Sequence, residues 1–170
     1  QGLEVIFDAV EMIQGHYPEK IRRFELTIYG PDNYYRRNRL ARRFNGAIKY
    51  GGYLNAGEVS ARLAASDVCY LSLASSDYAY AIPGKLYEYI AHARPVFAVL
   101  PEGSAQRLIE QEDFGLVADP HSPDDVARKL VAMLDSNLRA RLYRNLVRQR
   151  HKYAAAPNFK ALGKRILKLQ

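Results

Sequence analysis

The apolar positions of this 170-residue chain switch repeatedly between a helical period and a strand period. Leu3, Ile6, Phe7, Val10 and Ile13 recur at intervals of three and four, which predicts a helix near the start. Phe24-Glu-Leu-Thr-Ile-Tyr29 alternates and is rich in β-formers, and Gly30-Pro31-Asp32 stops it. A basic helix is expected over 33–44, a short strand over Ala47–Tyr53, and a helix over Glu58–Ala65 with Val59 and Leu63 on one side. Asp67-Val-Cys-Tyr-Leu-Ser-Leu73 is almost continuously apolar, the pattern of a strand buried on both faces. A helix over 83–93 and a second buried strand, Pro95–Leu100, follow. A helix over 104–112 and a strand Gly115–Ala118 come next. Ser122-Pro-Asp-Asp125 reads as a helix start, with a capping hydroxyl, proline in the first turn and early acid; Val126, Leu130 and Leu134 continue it. A basic amphipathic helix is expected over 138–153, then a break at Ala154-Ala-Ala-Pro157 and a last helix over 158–168.

Strands that alternate with helices imply parallel pairing and helical crossovers on both sheet faces. The predicted fold is therefore α/β, a doubly wound, Rossmann-like parallel sheet over residues 1–153, with 154–170 a separate C-terminal helix. Such sheets bind ligands beyond the carboxyl ends of their strands. That narrows the search to the loops near 30–33, 51–57, 74–85 and 100–104.

Composition adds little except charge. Lys and Arg number 25 against 18 Asp and Glu, a formal +7, which favours anionic partners without choosing among nucleotides, nucleic acid and an acidic membrane. No apolar run approaches the ~18 residues needed to span a bilayer, and no leader pattern is visible. Cytoplasmic residence is expected, with peripheral contact at the inner face of the membrane as an option. Cys69, the single cysteine, is expected to be a buried structural thiol. His16, His92, His121 and His151 are too scattered for a metal site. Arg36, Arg37, Arg39, Arg42 and Arg43 form one basic cluster. Arg139, Arg141, Arg144, Arg148, Arg150 and Lys152 form another. Both read as solvated helix faces.

The chemistry concentrates in Ala81-Ile-Pro-Gly-Lys-Leu-Tyr-Glu-Tyr-Ile-Ala-His-Ala-Arg-Pro-Val96, which follows a buried strand and opens a helix. Pro83 suits a first turn, and Gly84 lets a ligand approach the backbone. The helix start offers free N–H groups and a positive dipole end, suited to phosphate. Leu86, Tyr89, Ile90 and Ala93 make one stripe; Lys85, Glu88 and His92 make another. A carboxylate such as Glu88 can accept two hydroxyl hydrogen bonds, as from a ribose. On spacing alone, Lys85 and Glu88 read first as an exposed helix ion pair of little energetic weight.

The stretch Pro83–Val96 resembles the donor-site helix of GT-B glycosyltransferases of the group 1, family-four retaining type. The likeness continues in order along the chain. Gln1-Gly2-Leu-Glu resembles the lead into their first helix, and Leu26–Gly30 a strand ending in glycine. Tyr50-Gly-Gly-Tyr53 resembles another strand end, Ala65-Ser-Asp67-Val the approach to the fourth strand, and Phe114–Pro120 a late strand. The resemblance implies the donor-binding, C-terminal half of an enzyme that moves a sugar from a nucleoside diphosphate sugar to an acceptor with retention. It implies Glu88 on the ribose hydroxyls, the backbone at Ile82, Pro83, Gly84 and Lys85 facing the diphosphate, and Lys85 as the catalytic cation. Gly52 and Tyr53 would border the base, Gly30 would close its strand beside them, and Tyr80 would face the transferred sugar. No metal or cofactor beyond the donor is demanded.

Three departures matter. Tyr80 stands where the family often has an acid, with Asp77 nearby. Ala93 replaces a usual glycine, a difference expected to matter only for packing. The pattern also starts at the first helix, so the first strand, its glycine-rich turn and an N-terminal acceptor domain are expected to lie outside this chain. Segment 154–170 could return to that domain, and the chain alone is expected to be inactive. The competing reading is a non-catalytic basic module for nucleic acid or a protein partner; a donor-binding domain carries no expectation of nucleic acid.

Overall fold

The computed structural model describes residues 3–30, 43–73, 77 and 79–153. Helix α1 (Glu4–His16) and a short α2 (Pro18–Ile21) lead to β1 (Leu26–Tyr29); β2 (Ile48–Gly52) and α3 (Ala56–Ala65) follow. Then come β3 (Cys69–Ser72), α4 (Gly84–Ala91), β4 (Val96–Val99), α5 (Ser104–Gln111) and β5 (Gly115–Ala118). The described chain ends with α6 (Pro123–Ala132), α7 (Ser136–Gln149) and a 3-10 turn (Arg150–Tyr153). The basic helix expected over 33–44, apart from its last residues, and the helix expected over 158–168 fall outside the described residues.

Every strand pairing is parallel, as the βα alternation requires: β1 with β2, and β3-β4-β5 in that order. The expected sheet is present in two pieces, of two and three strands. The central strand β4 is buried on both faces, and its side chains divide by the period of two. Phe97 and Val99 join a core with Ile6, Val10, Phe44, Ile48, Val126 and Leu130. Val96 and Ala98 join Leu71, Leu86, Ile90, Ile109, Phe114 and Leu146. Helices therefore cover both faces, α1 and α6 on one, α4 and α5 on the other, while α7 reaches both cores through Leu142 and Leu146, which makes the fold doubly wound.

Local chemistry sets the helix ends. Asn55 and Glu58 form a reciprocal capping box on α3, at 3.0 and 2.7 Å. The Ser122 hydroxyl accepts from the Asp125 N–H at 3.2 Å, as the sequence implied. Helix α4 ends in a Schellman turn: the Ala93 N–H donates to Ile90 and the Arg94 N–H to Tyr89, both at 2.9 Å. This turn places Ala93 at φ 53°. Its departure from glycine is thus conformational as well as a packing matter. The left-handed backbone costs ~1–2 kcal/mol, which burial of the methyl group offsets by ~0.8 kcal/mol.

Cys69 is buried on β3. Burial pushes its thiol up from 9.0 to about 12, over the opposing pull of the Arg94 guanidinium. A group whose pKa is raised on folding stabilises the fold below its unfolded pKa and loses that contribution as pH climbs toward the folded value. Stability is therefore expected to decline from about pH 9 upward. Tyr89, pushed to about 12 by burial, adds to the decline from pH 10. Cys69→Ala should flatten it by up to ~1.4 kcal/mol per pH unit. Urea midpoints measured from pH 8 to 11 check this, and an unchanged slope would refute it.

Candidate functional site

Three loops carry the candidate residues, each leaving the carboxyl end of a parallel strand. At the end of β1, Gly30 has φ 152°; at the end of β2, Gly52 has φ 87°. The Gly30 N–H donates to the Gly52 carbonyl at 3.0 Å, and the Tyr50 hydroxyl donates to the Gly30 carbonyl. These bonds fix the two strand ends side by side. A Cβ on Gly51 would collide with the Tyr29 ring, so Tyr29 packs closely against the backbone there, with the Arg62 guanidinium 5.9 Å from its centroid. Tyr53, the next residue outward, is 78% exposed.

The second group sits on α4. Pro83 is the N-cap at φ −61°, ψ 138°, and no side chain caps the helix. The Leu86 N–H turns back to the Pro83 carbonyl at 2.9 Å. The N–H groups of Gly84 and Lys85 have no intrahelical acceptor at this position. Leu86 and Ile90 are buried, while Gly84, Lys85, Tyr87 and Glu88 are exposed. A Cβ on Gly84 would meet nothing within 4 Å, so packing within the described chain does not require glycine there. No ion pair joins Lys85 to Glu88 among the described residues; both heads stand free in solvent. Ile82 packs its side chain on the α4–α5 core, with its backbone at the helix approach.

Tyr80 lies on the turn before this helix and is 77% exposed. The turn is held from the start of α5, where sequence reasoning named no residue. The Ser104 N–H, first in α5, donates to the Ala79 carbonyl at 2.8 Å, and a Cβ on Gly103 would come 2.1 Å from that oxygen. Glycine at 103 lets the α5 start close on the Tyr80 turn. The one sequence signal for it is the position of loop 100–104 after a strand end. Helices α3 and α4 are tied by the Ser60 hydroxyl and His92 Nε2, 2.9 Å apart, and His92 Nδ1 lies 2.9 Å from the Glu88 carbonyl. His92 thus serves the helix end. No described contact joins Gly52 or Tyr53 directly to Glu88. Among the described residues no group of three or more His, Cys, Asp or Glu converges, and no helix is long and apolar enough to cross a membrane.

The basic face of α7 is largely occupied by its own chain. Arg139 donates to the Met133 carbonyl at 2.7 Å and Arg141 to Asp113 at 2.9 Å. Arg148 binds Asn145 at 2.7 Å, Arg150 the Ala91 carbonyl at 3.4 Å, and Lys152 lies 3.9 Å from Glu112. Of the other basic cluster, only Arg43 falls among the described residues, paired with Glu11 at 2.6 Å.

Comparison with known proteins converges on one group. The family described as Glycosyl transferases group 1 matches residues 1–136. A probable glycosyltransferase, WbjE, of Pseudomonas aeruginosa is 27% identical over 124 residues, covering 71% of this chain and 31% of that protein. The crystal structure of WaaG, a glycosyltransferase involved in lipopolysaccharide biosynthesis, superposes with a TM-score of 0.59 at 20% identity. It covers 78% of this chain and 37% of that one, and the likeness is one of fold. The chain spans about a third of the length of these relatives.

Proposed function

The chain belongs to the group 1 glycosyl transferases, and on that premise we propose that it is the donor-binding part of an enzyme that transfers a sugar from a nucleoside diphosphate sugar with retention. The observation that carries the reading is the start of α4, an uncapped helix end with open N–H groups at Gly84 and Lys85. A free cation stands at Lys85, and a free carboxylate lies one turn further along. An anion is favoured at such an end by dipole and donors together. The diphosphate would seat against Gly84 and Lys85, with the Ile82–Pro83 backbone beside it, and Glu88 would accept from the ribose hydroxyls. Gly52 and Tyr53 would border the base, at a strand end that Gly30 holds in place, and Tyr80 would face the sugar. As the bond from the anomeric carbon to the diphosphate oxygen breaks, charge grows on the leaving phosphate. The helix amides and the Lys85 ammonium stabilise that charge.

Gly84 gives a test in which folding and binding move in opposite directions. Gly84→Ala adds a methyl that meets nothing in the chain, and in a first helical turn it should stabilise the fold by ~0.5–1 kcal/mol. The same methyl would intrude on a phosphate packed against the backbone. Calorimetric titration with a nucleoside diphosphate, beside a thermal melt, is expected to give tenfold or weaker affinity in a more stable protein. Undiminished affinity would remove the diphosphate from this helix end.

A further inference from the structure

Helix α3 is held by polar contacts rather than by burial. None of its ten residues is buried. Its larger apolar side chains, Val59 and Leu63, are half-buried and belong to neither core among the described residues. What ties α3 to α4 lies at the end of α4. The Ser60 hydroxyl meets His92 Nε2 at 2.9 Å, and the Arg94 guanidinium donates to the carbonyl of Ser66, the α3 C-cap, at 3.0 Å.

His92 is itself fixed from two directions. Its Nδ1 lies 2.9 Å from the Glu88 carbonyl, and its own carbonyl accepts from Arg94 Nε at 3.0 Å. A carbonyl can only accept, so Nδ1 carries the proton of the neutral ring. That leaves Nε2 as the acceptor for the Ser60 O–H. At the other end of α3, the capping box of Asn55 and Glu58 locks the helix to the loop that leaves β2. A displacement of α3 therefore carries that loop with it, Tyr53 included. None of the described hydrogen bonds joins the loop to α4 directly.

We propose that His92 is a positioning residue for the donor: through Ser60 it docks α3, and with it the loop after β2, against the helix that carries Lys85 and Glu88. The inference rests on the reading of that loop and that helix as the base side and the ribose–phosphate side of one site. A ligand that spans both sides needs α3 docked, and its apparent affinity falls with the docked fraction. With no buried side chain to take its place, loss of the Ser60–His92 bond lowers that fraction by roughly three- to tenfold, the scale of one net hydrogen bond. A ligand held by the start of α4 alone is indifferent to α3.

The test is calorimetric titration of the chain with a nucleoside diphosphate and, separately, with inorganic pyrophosphate. Ser60→Ala removes the hydroxyl and, since alanine is the better helix former, leaves α3 itself intact. His92→Asn keeps a donor for the Glu88 carbonyl but falls short of Ser60, whereas the longer amide of His92→Gln reaches it. Ser60→Ala and His92→Asn are each expected to weaken nucleoside diphosphate binding by roughly three- to tenfold. The double variant should bind no more weakly than either single one, His92→Gln should stay near the parent, and pyrophosphate should bind all of them alike. Parental affinity in Ser60→Ala or additive losses in the double variant overturns the proposal. An equal loss for pyrophosphate does so too, because it makes His92 a support of α4 alone. Glu88→Gln is the reference. A silent Ser60→Ala in a protein that responds to Glu88→Gln overturns the positioning role alone, and a nucleoside diphosphate affinity indifferent to both overturns the donor site with it.

Discussion

Replacing Gly115 with alanine is expected to destabilise the fold by ~3 kcal/mol, the upper end of the range for forced overpacking. Gly115 is buried at the start of β5, in register with Val96 of the central strand. A Cβ built there would lie 1.9 Å from the Val96 carbonyl oxygen and 2.7 Å from its carbon. Both are backbone atoms of β4, which is fixed by a strand on each side, so neither can swing away as a side-chain tip could. The Val96 N–H also donates to the Phe114 carbonyl at 3.0 Å, and any displacement of β5 strains this bond. Relief therefore requires the first residues of β5 to leave the ladder, with loss of packing around fully buried Phe114. Inserting a methyl into a packed interior costs ~1–3 kcal/mol or more, and the upper end applies because the obstacle is backbone. At ~3 kcal/mol the melting temperature should fall by roughly 6–12 °C for a chain of this size. Gly15→Ala is the control. Within α1 its Cβ would meet nothing within 4 Å, and the helix should gain ~0.5–1 kcal/mol. If Gly115→Ala melts within about 2 °C of the parent, the close approach is not a feature of the folded protein.

Gly115 and Gly15 look alike in the sequence, and their difference marks the boundary between local and long-range information. Local signals are legible. The Ser122 start and the period change at each junction act within a few residues, whereas the helix expected from Glu58 begins at Ala56 behind the Asn55 cap, and the strand expected to be buried on both faces is fully buried only at Cys69 and Leu71. Helix α2 is not legible, because Pro18–Ile21 buries none of its four residues and periodicity has nothing to register. β1 begins at Leu26, two residues after Phe24, because the Leu26 N–H makes the first bond toward β2. The split of the sheet cannot be read from β1 or β3 either, since both carry ordinary strand patterns and the difference lies in what stands between them. Within the site, the Gly103 approach to Ala79 depends on residues 24 positions apart. Ala93 reads as a packing detail because a left-handed turn leaves no mark on composition. Spacing alone reads Lys85 and Glu88 as an exposed ion pair rather than two separate roles. Their rotamers, with no bond between them, favour the second.

Glu88→Gln should then weaken nucleoside diphosphate binding by about 1.5–3 kcal/mol, the scale of a lost charge-assisted hydrogen bond, or roughly ten- to a hundredfold in Kd. Glu88 is exposed on α4, away from the buried stripe of Leu86 and Ile90, and pairs with no cation among the described residues. Its neutral amide therefore costs the fold little, since no ion pair is broken and the packing of the core is untouched. Glutamine keeps length and shape but replaces one acceptor oxygen with a donor, so it can no longer accept from two hydroxyls at once. The ligand can be varied in step. A 2′,3′-dideoxy nucleotide has no hydroxyls to donate, so the substitution should change its affinity far less than that of the ribonucleotide. Titrating parent and variant with both ligands closes a double-mutant cycle, and its coupling energy isolates the ribose contact from general effects on the helix start. Lys85 is unchanged throughout, so a loss of phosphate attraction would lower both ligands alike. Equal losses for the two nucleotides would separate Glu88 from the ribose and return it to the solvated face of the helix.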